Sequence, residues 1–183
     1  LKDYEAQEKG YQVLVLDSPI VSHVIQKLES KLENSSFVRV DSDTIDNLIK
    51  KESNIESVLS ESDQKKLKPL FEKALPSDGF VVNFEALNPK SSPISITQSE
   101  FMRRMKEMSV TGGGPMMGMN QMPDSYNLII NSNHPLINKI QKLKGKAKSN
   151  LIQNAINLAL LSQNLLKGEQ LTKYIEGSFK DLG

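Results

Sequence analysis

The stretch that most constrains the fold of this chain is LIQNAINLALLSQNLL, residues 151–166. Its apolar residues recur at helical spacing, and its polar residues are all Gln, Asn or Ser, so the stretch carries no charge. This pattern predicts a helix whose apolar face is wider than a single packing partner requires. Gly168 is expected to end the helix, and a second amphipathic helix is predicted over residues 169–182.

The two helices together predict a hairpin with more apolar surface than its own chain would cover. Pairing of that surface with a second copy of the chain would give a four-helix bundle about a two-fold axis. In the alternative, the hairpin only covers the sheet of its own chain. The residues expected at the dimer interface are Leu151, Ile152, Ala155, Leu158, Ala159, Leu161, Leu165, Leu171, Tyr174, Ile175 and Phe179.

All seven methionines of the chain lie in one window, residues 101–122. The first half of the window has helical spacing, whereas Gly112–Pro115 breaks any regular helix or strand. Methionine is flexible and polarizable, so it adapts to irregular surfaces. We interpret the window as a site that binds varied hydrophobic partners. Its contact candidates are Phe101, Met102, Met105, Met108, Met116 and Met117.

Two alternatives to this interpretation remain open. A methionine stripe at helical spacing is also typical of an ordinary core. Methionine beside Arg and Lys also suits a module that binds hydrophobic segments or a membrane surface. Such a module would act without an ATPase partner.

Residues 1–58 predict a small α/β unit. YQVLVL (11–16) and FVRV (37–40) have the composition of strands, and each is followed by a capped helix, so the predicted order is βαβα with a parallel pair. Residues 1–65 carry 8 Lys or Arg against 13 Asp or Glu, a net charge of −5, whereas the rest of the chain is basic. The contrast supports two units. The chain opens on what resembles the end of a helix at Gly10, so we expect a piece of a longer protein.

Residues 59–183 predict a second unit of α+β class. Ser60 and Asp63 indicate a capped helix to about residue 75, with a kink or split at Pro69. Strands are expected over residues 80–86, 93–97 and 125–131, as a three-stranded antiparallel sheet with the methionine helix inserted. Asn133-His134-Pro135 opens a short helix with His134 in a cap position. The predicted fold class is therefore α+β, with a βαβα subdomain before the dimer-forming domain.

Several chemical functions are disfavoured by the residues present. The chain has no Cys, and its two His residues have no partner at metal-ligand spacing. The turn after the first predicted strand, Leu16–Pro19, has no glycine to cradle a phosphate. The lysines between 139 and 148 predict a solvent-exposed basic face. A nucleic-acid site is not favoured, because no aromatic residues lie among them on which bases could stack. We expect no enzyme activity, nucleic-acid partner or stable membrane insertion.

Five blocks of sequence, in this order, resemble a known family. They are GYQVLVLDSPI, FVRVDSDTIDNLI, FMRRMKEMS followed by GGGPMMG, YNLIINSNHPL, and the closing apolar hairpin. Together they are similar to the carboxyl-terminal part of bacterial members of the heat-shock protein 90 family of molecular chaperones. The methionine window with its glycine run is similar to members from Bacteroidetes.

The resemblance implies roles for both units. Residues 1–58 would be the last α/β subdomain of the middle domain, and 59–183 the dimerisation domain. The helix at 99–109 would contact unfolded or partly folded client proteins. The family binds ATP and magnesium in an amino-terminal domain that these residues do not contain, so this part should need no cofactor. The resemblance also implies a cytoplasmic, homodimeric protein of the stress response.

Overall fold

The structure is a computed structural model that describes residues 6–7, 10–16, 18, 20–32, 37–40, 42–44, 55–77, 79–98 and 125–182. The chain forms two compact units, one of residues 1–52 and 97–126 and the other of residues 53–96 and 127–183. The domain boundary expected at residue 58 stays a prediction.

Helix α1, Val21–Glu29, is the main described element of the first unit. It begins two residues after Pro19, and the amide of Val21 donates to the carbonyl of Ser18. Upstream, Gly10 has a φ of +85°, and the amide of Tyr11 donates to the carbonyl of Ala6. This is the hydrogen bond that closes a helix end on a left-handed glycine, as the sequence predicted at Gly10.

Neither strand predicted in the first unit is formed. Residues 11–16 and 37–40 belong to no strand, and Leu14 and Val15 are 71% and 85% exposed. The prediction was wrong because an apolar, β-branched run becomes a strand only where another strand pairs with its backbone. No such pairing occurs among the described residues of this unit. The second helix predicted there, from Ser42 or Asp43, extends over residues that the structure does not describe.

The second unit begins with helix α2, Glu61–Ala74. The Ser60 side chain accepts a hydrogen bond from the amide of Asp63, so the predicted cap is confirmed. Pro69 lies inside one continuous helix, and the split predicted there does not occur. A proline in mid-helix removes one backbone donor, and Leu67 and Phe71, which are both buried, anchor the turns on either side of it.

Three strands, β1 (Phe80–Glu85), β2 (Ile94–Thr97) and β3 (Tyr126–Asn131), form one sheet in the order β1-β3-β2. The amide of Ser132 donates to the carbonyl of Glu85, so the ends of β1 and β3 lie together and these strands are parallel. The amide of Asn131 donates to Pro93, just before β2, so β2 is antiparallel to β3. The sheet is mixed, not antiparallel as predicted, because β3 inserts between two strands that follow each other in sequence.

Three further helices complete the described fold: α3 (Pro135–Lys142), α4 (Gly145–Ser162) and α5 (Gly168–Leu182). The core joins the sheet to α2, α3 and α4. The rings of Phe71 and Phe84 meet edge to face with their centroids 6.1 Å apart. The α+β class is confirmed by the five helices and three-stranded sheet of the described residues, whereas the bundle in a dimer stays a prediction.

Helix α4 ends earlier than the sequence predicted. The prediction placed its end at Gly168, but the helix stops at Ser162 and Asn164 adopts a left-handed φ of 56°. The amide of Leu165 donates to the carbonyl of Leu160, and the amide of Asn164 donates to that of Leu161. These two bonds form the Schellman motif, and Asn is the residue after Gly that best tolerates its left-handed position.

Candidate interaction surface

Helix α4 has two apolar faces with different environments. One face packs against α2 and α3, and Ile152, Ile156 and Leu160 on it are buried. On the other side, Leu158 and Leu161 remain exposed. The width of the apolar stripe therefore exceeds what the chain's own core covers, as the sequence indicated.

From Ser149 onward the polar residues of α4 are neutral, and one of them joins α4 to α2. The side-chain amide of Gln153 donates to the carbonyl of Ala74 and to Oδ1 of Asn157, each at 3.1 Å. Because no charged residue lies between Lys148 and Lys167, covering the exposed side of α4 from Ser149 onward would desolvate no charge on this helix. That favours a protein partner at this face.

Helix α5 has no buried side chain between residues 168 and 180. Its apolar residues recur every three or four positions. Leu171 and Tyr174 are half-buried, whereas Ile175 and Phe179 are exposed, the latter at 69%. An isolated helix of this length is marginal in water, because most helical stability comes from packing of an apolar face. The described chain therefore covers the apolar face of α5 only in part.

The predicted interface residues fall into three groups in the structure. Ile152, Ala155 and Ala159 are buried within their own chain and have little surface left for a second one. Four others are half-buried, namely Leu151, Leu165, Leu171 and Tyr174. The remaining four are exposed: Leu158, Leu161, Ile175 and Phe179. We call these last four residues the helix-pair surface.

The methionine window lies outside the described residues. This holds for all six contact candidates: Phe101, Met102, Met105, Met108, Met116 and Met117. Their assignment to client binding stays a prediction.

His134 occupies the cap position that the sequence assigned to it. Its Nδ1 accepts a hydrogen bond from the amide of Leu136 at 3.0 Å. Burial lowers the pKa of His134 from its usual value near 6.5. The acceptor geometry requires an unprotonated Nδ1, so burial and capping both favour the neutral ring.

Positive charge concentrates around the junction of α3 and α4. Lys139, Lys142, Lys144 and Lys146 are exposed, as expected for a solvated face. Lys148 donates from Nζ to the carbonyl of Gln141 at 3.1 Å. Among the described residues, no group of three His, Asp or Glu side chains is placed to hold a metal ion. No described helix has the length and apolarity needed to cross a bilayer.

The sequence did not predict a buried polar cluster at the end of β3. Asn131, Ser132 and Asn133 are all buried, although these residue types usually mark an exposed turn. The available signal was their position between a buried strand and a capped helix, where a turn has little room to reach solvent.

Comparison with known proteins shows that the chain is homologous to bacterial molecular chaperones. These relatives are named chaperone protein HtpG. The one from Porphyromonas gingivalis is 48% identical over 147 residues, which cover 79% of this chain and 21% of the relative. The one from Bacteroides fragilis is 45% identical, covering 74% and 20%, and the one from Bacteroides thetaiotaomicron is 40% identical, covering 92% and 25%. No protein-family model matches the chain.

The family resemblance predicted from the sequence is therefore confirmed, including its Bacteroidetes members. The chain spans about a fifth to a quarter of the length of these relatives. The alternative of a hydrophobic-segment or membrane-surface module unrelated to chaperones is not favoured by these relatives.

Proposed function

We propose that this chain is the dimer-forming and client-binding part of an ATP-dependent chaperone of the heat-shock protein 90 family, acting in the cytoplasm. The similarity to HtpG chaperones carries the proposal. In it, two copies join through α4 and α5, and each presents the methionine window to unfolded or partly folded proteins. ATP and magnesium would bind in a part of the chaperone outside these residues. Joining two copies of the chaperone at one end raises the effective concentration at which their distant domains meet each other.

The helix-pair surface supports the dimer half of the proposal. Leu158 and Leu161 on α4 and Ile175 and Phe179 on α5 are large, apolar and exposed. Burying one such side chain contributes about 1.5–3 kcal/mol in transfer free energy. Four from each copy would supply a substantial part of the driving force for pairing, before the cost of association is subtracted.

Sedimentation equilibrium tests this half directly. The chain should sediment at about twice its monomer mass of 20.4 kDa. Leu158→Glu should shift it to the monomer mass, since a carboxylate at a buried interface is strongly disfavoured. Leu14→Glu is the matched control, because Leu14 is 71% exposed against 56% for Leu158 but belongs to the first unit. A parent chain that sediments as a monomer would disprove the dimer.

The client-binding half rests on the methionine window. Replacing Met102, Met105 and Met108 by Ser should weaken the suppression of aggregation of a thermally unfolding test protein, since the thioether contacts that adapt to varied apolar segments are lost. The matched control replaces Leu14 and Val15 by Ser, since both are exposed apolar residues that lie outside the methionine window. Sedimentation of the triple variant should still show a dimer. Unchanged suppression in the triple variant would assign these methionines to a core.

A further inference from the structure

Three consecutive buried polar residues lie at the end of strand β3. Asn131, Ser132 and Asn133 are 0%, 1% and 5% exposed. A buried polar side chain is costly unless its donors and acceptors are paired. Their hydrogen-bond partners therefore show which parts of the chain these side chains hold in place.

The side-chain amide of Asn133 binds two residues of one extended segment. Its Oδ1 accepts from the amide of Val58 at 2.7 Å, and its Nδ2 donates to the carbonyl of Glu56 at 3.1 Å. The same Nδ2 lies 3.3 Å from the carbonyl of Leu87, just beyond β1. One carboxamide thus reproduces the donor and acceptor pair that a neighbouring strand would offer to residues 56–58.

A second pair of side chains strengthens the attachment. Oγ of Ser57 lies 2.8 Å from Oγ of Ser132, and Ser132 in turn donates to the carbonyl of Glu85 at 3.1 Å. Gln64 on α2 donates to Oγ of Ser57 and to the carbonyl of Leu59, each at 3.1 Å. Residues 56–59 are therefore held from both the sheet and α2.

The attached segment has no regular secondary structure of its own. Val58 is 68% exposed, so its side chain contributes little packing, whereas Leu59 is buried. The hold on Glu56, Ser57 and Val58 is therefore mostly polar. These residues lie close to the place where the chain first passes from the first unit, at Glu52, into the second unit, at Ser53.

We propose that Asn133 and Ser132 are positioning residues that clamp residues 56–58 to the second unit, close to one of the three places where the chain passes between the units. With the clamp closed, residues 56–58 move together with the sheet of the second unit. The clamp thereby limits the range of orientations that the two units adopt.

Native-state hydrogen exchange tests whether the clamp forms. In the full chain the amide of Val58 should be protected, and Asn133→Ala should raise its exchange rate about tenfold or more, the equivalent of one lost hydrogen bond to a buried group. Asn133→Asp keeps the acceptor for Val58 and should leave that amide more protected than Asn133→Ala does. The matched control is Gln153→Ala, which removes another amide-to-carbonyl bond of the second unit, away from residues 56–58.

Distance distributions between the units test what the clamp does. The chain has no cysteine, so His23→Cys and Lys146→Cys, both at exposed positions, give a specifically spin-labelled pair. Labelled chain is diluted with excess unlabelled chain so that each assembly holds one pair. Asn133→Ala should broaden the distribution, and Gln153→Ala should leave it unchanged. Ser57→Ala provides the same test without altering the buried cluster, if Asn133→Ala does not fold.

Two results would overturn the proposal. In the first, the Val58 amide retains its protection in Asn133→Ala, or the distance distribution keeps its width in Ser57→Ala if that variant is used. In the second, the Val58 amide loses its protection while the distribution of distances between the two labels keeps its width. The clamp would then open without changing the relative motion of the units. Equal broadening in Gln153→Ala would also overturn it, since the effect would then be a general loss of stability.

Discussion

His134 caps helix α3 with a ring nitrogen, where most helices use a side-chain oxygen. A protonated ring would lose the bond to the amide of Leu136 and place a positive charge at the positive end of the helix dipole. Burial adds to the same preference by lowering the pKa of His134. The folded state therefore favours the neutral ring more strongly than the unfolded chain does.

This preference predicts how stability depends on pH. The contribution of His134 is fully present above its unfolded pKa near 6.5 and is lost as the pH falls from there toward the lowered folded value. Denaturant unfolding at about pH 7.5 and about pH 5.5 should show lower stability at the acidic value. His134→Asn, which caps without titrating, should show a smaller difference, and His23 is common to both proteins. An equal difference in the two proteins would contradict the prediction.

Asn164 shows why a helix end is hard to place from sequence. Gly168 was the expected terminator, and it does have a positive φ of 58°, but it stands at the beginning of α5. Asn reaches the same left-handed region at a modest cost, so both residues were candidates. The choice depends on where the core stops covering α4, which is a tertiary property.

At the scale of elements, local signals were predicted well. The cap of α2 depends on Ser60 and Asp63, three residues apart, and a two-residue period identified β1. The failures were non-local. Residues 11–16 have a strand composition but no strand beside them, and the insertion of β3 between β1 and β2 depends on pairings that periodicity does not encode.

The interface prediction had the same limit. Helical spacing identified the apolar stripe of α4 correctly, but spacing does not distinguish the sector that faces the chain's own core from the sector that faces outward. Ala155 and Ala159 are in the first sector and Leu158 is in the second. All three have the residue type expected of a helix interface, so only the packing of α2 and α3 separates them.

Helix α5 gives a prediction at this scale. With no buried side chain among residues 168–180, its stability should depend on a partner. Hydrogen exchange of the α5 amides should be slow in the concentrated parent and fast in Leu158→Glu, whereas the amides of β3 remain protected in both. Protection of α5 that survives in a monomeric variant would show that the helix is stable without a partner.

For the whole molecule, pairing predicts a concentration-dependent stability. A partner that binds the folded chain stabilises it by mass action, so the thermal midpoint should rise with protein concentration. Scanning calorimetry over a hundredfold range of protein concentration would measure the rise. For comparison, a ligand present at a hundred times its Kd stabilises the folded state by about 2.7 kcal/mol. Leu158→Glu should have a midpoint independent of concentration, and Leu14→Glu should behave like the parent.

The family assignment came from the whole chain, since no single block was specific. The order of the five blocks indicated a chaperone, and HtpG relatives at 40–48% identity confirm it. The chain spans a fifth to a quarter of these relatives.

The hold on residues 56–58 is made entirely of neutral groups: two amides, two hydroxyls and backbone carbonyls and amides. Dissolved salt screens charges and leaves such bonds almost untouched. The attachment should therefore keep its strength across the ionic conditions that a stressed bacterium meets. Contacts made by the lysines of α3 and α4 would weaken as salt rises, so the chain combines a salt-sensitive surface with a salt-insensitive joint.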